Sequence, residues 1–143
     1  MKYTGKEIEN LLPHRAPMLL IEDVELVKDD EGERSIAHYN VRGNEYFLQG
    51  HFPDFPVVPG VILCEMMAQS CCVFFSNKKD VHTMLTSLNN VKFKSPVRPG
   101  DVVRIETIIT KSNRIFTFAE SKVFVGEKLA AMGELSFALV PKN

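Results

Sequence analysis

His51 and Glu65 stand out in the stretch GHFPDFPVVPGVILCEMMAQ, which covers residues 50–69. His51 heads a proline-rich loop, and Glu65 is the single acid in the apolar run that follows. A structural histidine and a solvated glutamate are the plainer interpretations. The positions around Glu65, which are 61–64 and 66–68, are however all apolar, and an isolated acid in such surroundings often has a functional role. We therefore interpret the two residues as a candidate acid–base pair.

The glycine at position 60 supplies a third chemical group. It follows Pro59, which suits the first turn of a helix, so its N–H is predicted at a helix N-terminus, where free amides favour negative charge. A base, an acid and an oxyanion donor fit proton abstraction beside a thioester carbonyl, with loss of water at the β carbon. His51 would take the α proton, the Gly60 N–H would stabilise the enolate oxygen, and Glu65 would assist the departing hydroxyl.

Gln69 lies four residues after Glu65, so the two side chains share one face of the predicted helix. The histidines and cysteines show no ligand spacing, so the sequence indicates neither a metal nor a cofactor. All three cysteines lie in the apolar run, and we expect them to be buried free thiols of a reducing compartment.

These residues need an apolar helix to carry them, and that helix must itself be covered. The pattern predicts the helix from Pro59 to about Phe75, and a short helix over TGKEIENLL with Thr4 as its cap and Glu7 completing a capping box. A helix that is apolar nearly all round must be wrapped. We therefore predict an α+β fold, in which a curved antiparallel sheet of five to six strands surrounds one long central helix. Strands are predicted at 18–27, 34–41, 82–93, 101–112, 114–125 and 129–140.

Bulk properties restrict the class of protein. The 143 residues fit a single domain over 1–143, and the net charge of −1 gives no reason to expect nucleic-acid binding. The N-terminus carries charge where a signal peptide needs an apolar core, so we expect a cytoplasmic protein. The most apolar run, 60–75, is short for a membrane span and is interrupted by Glu65 and Gln69. An open sheet leaves edges, and pairing between two copies is one way to cover them.

Three segments resemble one enzyme family. GHFPDFPVVPGVILCEMMAQ is similar to the signature of the β-hydroxyacyl-acyl carrier protein dehydratases of the FabZ type. LLPHRAPMLLIEDV (11–24) resembles the opening of that family, and NNVKFKSPVRPGD (89–101) resembles its segment before the later strands. The resemblance extends over nearly the whole chain in the right order. Glutamate at position 65, where the FabA-type dehydratase-isomerases carry aspartate, favours a plain dehydratase.

The resemblance implies a fold, an activity and an assembly. The fold is the hotdog fold, and the activity is a cofactor-free (3R)-hydroxyacyl-acyl carrier protein dehydratase of fatty-acid elongation. The active unit is a dimer, commonly assembled into a hexamer as a trimer of dimers. Each site pairs His51 of one subunit with Glu65 of the other. The Gly60 amide would polarise the thioester carbonyl, and Gln69 would help to orient Glu65.

A basic cluster is a candidate docking surface for the carrier. Lys92, Lys94 and Arg98 lie close together in sequence, and acyl carrier protein is acidic. In the family, a basic surface near the tunnel mouth receives the carrier. A solvated strand end is the plainer interpretation. For His14 and Arg15, which recur in the family opening, we expect a structural or interface role.

Two alternatives stay open. Ala16, Met18 and Met66 depart from the residues usual in the family, which puts the acyl-chain preference in doubt and suggests a dehydratase of a specialised polyene or polyketide pathway. A non-catalytic module that binds the acyl carrier or the acyl chain on the same fold is the other alternative. The presence of both His51 and Glu65 argues against that module.

Overall fold

One antiparallel sheet and one long helix build the domain. The computed structural model describes residues 1–78 and 80–142. In these residues the elements in chain order are β1 (Lys2–Thr4), α1 (Lys6–Leu11), β2 (Asp23–Asp29), β3 (Gly32–Asn40), α2 (Gly60–Cys72), β4 (Val81–Phe93), β5 (Val102–Ser112), β6 (Phe116–Val125) and β7 (Lys128–Pro141), with 3₁₀ turns at Tyr46–Leu48 and Val73–Phe75.

The seven strands form one sheet in the order β1-β2-β3-β5-β6-β7-β4, and every neighbouring pair is antiparallel. Antiparallel pairing of the later strands was predicted, but β4 does not lie beside β5. The connection at 94–101 carries the chain from one part of the sheet to another, so that β4 pairs with β7 and forms an edge. Because β4 has 13 residues, that edge is long.

Helix α2 packs against the inner face of the sheet, with most of its contacts to β5 and β6. Its buried residues include Met66 and Met67, which are fully covered. They meet alternate strand residues such as Val103, Ile105 and Val123, which are also fully buried. Removing each such side chain from water contributes about 1.5–3 kcal/mol. The predicted hotdog arrangement, a sheet wrapped around a central helix, is confirmed.

A row of small residues crosses the sheet beneath α2. Ser35, Thr107, Ser121 and Gly133 are register partners on β3, β5, β6 and β7. The Thr107 and Ser121 hydroxyls are hydrogen-bonded at 2.7 Å, and the Ser35 hydroxyl donates to the Ser70 carbonyl of α2 at 3.0 Å. These buried polar groups are therefore paired, as a stable core requires.

Two sequence predictions about the N-terminal part are corrected. The predicted strand at 18–27 begins only at Asp23, because the backbone at Met18 and Leu20 bonds to a helix side chain instead of a neighbouring strand. The sheet has seven strands instead of five to six, since β1 pairs with the start of β2. Strand β1 has only three residues, which is too short for the sequence to show the alternation of apolar and polar residues that marks a strand.

The start of α1 also differs from the prediction. Thr4 belongs to β1, and the N-cap residue is Gly5, whose φ of 56° lies in the left-handed region that glycine tolerates. Glu7 still reaches back, because its Oε1 accepts the Thr4 N–H at 3.1 Å. Within the described residues no helix N–H donates to the Thr4 hydroxyl, so half of the predicted capping box is present.

Candidate active site

Glu65 is held by Gln69 one turn further along α2. The Gln69 Nε2 donates to Glu65 Oε2 at 2.9 Å and also to the Met18 carbonyl at 2.7 Å, while Gln69 Oε1 accepts the Leu20 N–H at 2.8 Å. Gln69 is fully buried. A buried amide with all of these bonds satisfied has one favoured orientation. The Glu65 carboxyl therefore has a fixed neighbour, although the role that we predicted for Gln69 stays a prediction.

The Glu65 carboxyl faces a groove of about 430 Å³ between the end of α1, the second half of α2 and the start of β4. The side chain is 30% exposed, which is more than the apolar sequence around it suggested. Burial raises the pKa of the neighbouring Cys72 to about 12, so that thiol stays protonated at neutral pH. The groove is lined by His14, Glu65, Ala68, Cys72, Phe75 and Phe137, among others.

His51 lies in the loop before α2, and its ring is oriented by the backbone. The ring Nδ1 is 3.0 Å from the Val57 carbonyl oxygen. Because a carbonyl can only accept, Nδ1 carries the hydrogen, and in the neutral ring Nε2 keeps its lone pair. The Phe52 ring packs against the His51 ring with their centroids 4.3 Å apart and their planes tilted by 35°, and the Phe52 backbone is left-handed with a φ of 46°. Such a strained residue beside a fixed histidine is typical of a functional site.

Gly60 is the first residue of α2, as predicted, and it lies under an aromatic ring. A Cβ at this position would stand 2.9 Å from the Phe93 Cζ, so any larger residue requires the exposed Phe93 ring to move. The residue lines a cavity of about 570 Å³ together with Phe55, Val61, Phe93 and Lys94. Its N–H belongs to the first turn, where helix amides have no partner within the helix.

The structure brings some of the predicted site residues together and leaves others apart. Glu65 and Gln69 are in contact, and both lie near His14. His51 and Gly60 are not among the residues that line the Glu65 groove, and within residues 1–78 and 80–142 no hydrogen bond or ion pair joins His51 to Glu65. One chain therefore presents His51 and Glu65, the predicted base and acid, at different places.

The three basic docking candidates are all exposed. Lys94 lines the cavity at Gly60, and the Arg98 guanidinium lies over the Phe55 ring at 5.1 Å. Lys92 is further along β4, opposite Met132 of β7. Two of the three candidates are thus beside the N-terminus of α2, where we predicted the thioester carbonyl.

His14 lies near Glu65, a contact that sequence reasoning did not predict. Its Nε2 lies 3.8 Å from Glu65 Oε2, and burial lowers the pKa of the ring. The available signal was the HR pair in the opening segment, for which we predicted a structural or interface role. The distance along the chain concealed the contact, because 50 residues separate the two side chains and only the packing of the 12–20 segment on α2 brings them together.

Three further observations concern metals, membranes and thiols. In the described ranges, His, Cys, Asp and Glu side chains form no group of three or more that would hold a metal ion. None of the helices in that same part of the chain has the length and apolar character to cross a membrane. Cys71 is buried as expected, whereas Cys64 and Cys72 are partly exposed, and all three are free.

Comparison with known proteins identifies the family. Residues 12–134 match the FabA-like domain family. The chain is 37% identical to the 3-hydroxyacyl-[acyl-carrier-protein] dehydratase FabZ of Clostridium kluyveri over the full length of both. It is 43% identical to the FabZ of Natranaerobius thermophilus, with 95% of this chain and 96% of the relative covered.

A solved structure agrees on the fold. The dehydratase heterocomplex ApeI:P from Xenorhabdus doucetiae superposes with a TM-score of 0.76 at 21% identity, covering 94% of this chain and 91% of that one. At this identity the likeness concerns the fold alone. The family prediction made from the sequence is confirmed by the full-length relatives, and the chain belongs to the FabZ-type dehydratases of the FabA-like family.

Proposed function

We propose that this protein dehydrates (3R)-hydroxyacyl chains carried on acyl carrier protein, which yields trans-2-enoyl thioesters and water for fatty-acid elongation. The names of the full-length relatives state a 3-hydroxyacyl-acyl carrier protein dehydratase for those proteins. Residues of the types that this chemistry needs are present in the chain as His51, Gly60 and Glu65. The observation that carries the proposal is the His51 ring, whose Nδ1 bond to Val57 leaves Nε2 free to act as a base.

The proposed reaction uses three groups of the protein. The His51 Nε2 takes the proton from the α carbon, and the electron pair of that bond forms the new double bond while the β C–O bond breaks. The Glu65 carboxyl gives its proton to the departing hydroxyl, which leaves as water. The Gly60 N–H stabilises the negative charge that develops on the thioester oxygen. No electrons are gained or lost, so the reaction needs no redox partner.

The proposed site is shared between two copies of the chain. His51 and Glu65 lie apart within one chain, and β4 offers a long edge for a second copy. Exposed apolar side chains mark that edge, which soluble monomers rarely leave uncovered. They are Met84 (53% exposed), Leu85 (45%), Leu88 (40%) and Phe93 (53%). We propose a dimer formed along β4, and further assembly into a hexamer as a trimer of dimers.

The carrier is proposed to dock beside Gly60. Lys94 and Arg98 flank the cavity at the N-terminus of α2, and Lys92 extends the basic surface. Replacing Lys94 and Arg98 by glutamate should raise the KM for the acidic acyl carrier substrate and leave the KM for a short pantetheine thioester unchanged. An equal change for both substrates would contradict docking at this surface. Because carrier-dependent synthesis takes place in the cytoplasm, we propose that location, and cell fractionation tests it.

A turnover assay tests the activity. The protein is incubated with short and long trans-2-enoyl-acyl carrier proteins, and the loss of enoyl absorbance is followed. His51→Ala and Glu65→Gln should each lower kcat by ~10²–10⁴-fold without loss of the folded state. Tight binding of the carrier without turnover by the unmodified protein would favour a non-catalytic binding module. Activity restricted to an unusual acyl chain would favour a specialised pathway.

A mixing experiment tests the shared site. Unfolding and refolding His51→Ala together with Glu65→Gln in equal amounts produces mixed dimers, in which one of the two shared sites has both residues intact. Random pairing should restore about a quarter of the unmodified activity. A site within one chain predicts that no activity returns, because each chain of the mixed dimer lacks one of the two residues.

A further inference from the structure

His14 and Glu65 face each other across the groove at the end of α1. The His14 Nε2 lies 3.8 Å from Glu65 Oε2, which is the same oxygen that accepts the Gln69 amide at 2.9 Å. The distance is longer than a hydrogen bond, but a small rotation of either side chain closes it, and contacts in an empty site are often long. Both side chains are partly exposed, at 24% and 30%, so neither is locked away from the groove.

The segment that carries His14 is fixed to the helix that carries Glu65. Gln69 binds the backbone of this segment at Met18 and Leu20. Arg15 stabilises the same segment locally, because its Nη1 donates to the carbonyls of Leu12 and His14 at 2.9 and 2.7 Å. The hydrogen bonds of Gln69 to this segment, one of them buried, therefore hold His14 near Glu65.

The His14 ring has one nitrogen that faces Glu65 and one that is buried. Within the described residues, the buried Nδ1 has no hydrogen-bond partner. A hydrogen on Nδ1 would be left without an acceptor, and buried N–H groups without acceptors are rare in native structures. The neutral ring is therefore favoured with its hydrogen on Nε2, where it points toward the Glu65 carboxyl.

Burial is the largest influence on His14 and lowers its pKa, with Arg15 acting in the same direction and Glu65 opposing. The ring is thus neutral at neutral pH. The other charged or titratable groups around it are Arg15, which is paired with Glu9 at 3.2 Å, and Lys78, His82 and Lys142, which line the same groove. A neutral donor steadies the carboxyl without the full positive charge that would keep it ionised.

We propose that His14 is a positioning residue of the dehydratase site, where its Nε2–H and the Gln69 amide together hold the Glu65 carboxyl. The inference rests on the proposed function, in which Glu65 gives a proton to the departing hydroxyl. The substrate class is unchanged, and the new element is a third side chain that controls the acid.

Three substitutions at position 14 test the role. His14→Gln keeps an N–H donor and should retain kcat within about threefold, whereas His14→Phe removes the donor and should lower kcat about tenfold with little change in KM. The alkaline limb of the kcat profile should move to higher pH in His14→Phe, because the carboxylate loses a donor. It should move to lower pH in His14→Lys, because a nearby cation favours the ionised carboxyl.

Two controls keep the outcomes distinct. His38→Gln changes a histidine of the outer sheet face that is bonded to Asp23, and it should leave kcat and the pH profile unchanged. The Glu65 carboxyl is also titrated by carbon NMR in each folded variant, which needs no turnover. An unmoved Glu65 titration in both His14→Phe and His14→Lys would overturn the role of His14. A protein without any turnover would overturn the proposed function, while the titration still decides the role of His14.

Discussion

The Nδ1 atom of His51 and the carbonyl oxygen of Val57 are 3.0 Å apart, so a hydrogen bond joins the two ends of the loop that precedes α2. The prolines at 53 and 56 lie between the two residues and restrict the backbone that joins them. We predict that nitrogen NMR of the neutral ring shows the hydrogen on Nδ1 and the lone pair on Nε2. A ring with its hydrogen mainly on Nε2 would contradict the role of His51 as the base.

Gln69 should matter for both stability and activity. Gln69→Leu leaves the buried Leu20 N–H and the Met18 carbonyl without partners, so the free energy of unfolding should fall by ~2–4 kcal/mol. The Glu65 carboxyl also loses a donor, so kcat should fall among the molecules that remain folded. Urea unfolding and the turnover assay measure the two effects. Gln49→Leu is the matched control, since Gln49 is exposed and makes one bond to the Asn44 carbonyl.

Gln69 shows why the sequence predicts helix α2 correctly but predicts the start of strand β2 wrongly. The 18–27 segment has the composition of a strand, but no local pattern shows that a side chain 49 residues away from Leu20 takes its N–H. The proline-glycine start and the apolar run predict α2 correctly, because those signals are local. The contact between His14 and Glu65 depends on tertiary packing, as does the position of β4 at the edge.

Gly60 should be sensitive to a single methyl group. In Gly60→Ala the new Cβ meets the Phe93 ring, which is half exposed and can move, so the free energy of unfolding should change by less than ~1 kcal/mol. The methyl group and the displaced ring crowd the amide, so kcat should fall at least about tenfold. Phe93→Ala alone separates the effect of the ring from that of the methyl group. A Gly60→Ala protein with unchanged kcat would exclude Gly60 as the carbonyl contact.

The ion pair between Glu22 and Arg42 predicts a pH-dependent stability. Arg42 binds both oxygens of Glu22, at 2.8 and 2.9 Å, and these hydrogen bonds are the main cause of the lowered pKa of Glu22. A carboxyl with a lower pKa in the folded chain stabilises the fold above its unfolded pKa, and this contribution is lost as the pH falls through the folded pKa. Arg42→Met should therefore cost ~0.2–1 kcal/mol at neutral pH.

Urea unfolding over a falling pH series checks that expectation. The difference between Arg42→Met and the unmodified protein should shrink as Glu22 becomes protonated. Arg114→Met is the matched control, because Arg114 is exposed and, in the part of the chain that the structure describes, forms no ion pair. A difference that stays constant over the whole series would show that Arg42 acts through packing and not through charge.

One hydroxyl of the row beneath α2 helps to hold the helix that carries Glu65. The Ser35 hydroxyl donates to the carbonyl of Ser70, the residue next to Gln69, so a turn of the helix about its own axis would break this bond. Neighbouring residues of a helix point about 100° apart. A turn of that size would aim Glu65 into the sheet or away from the groove. The orientation of the Glu65 carboxyl therefore depends in part on Ser35 of β3, a residue outside the proposed catalytic groups.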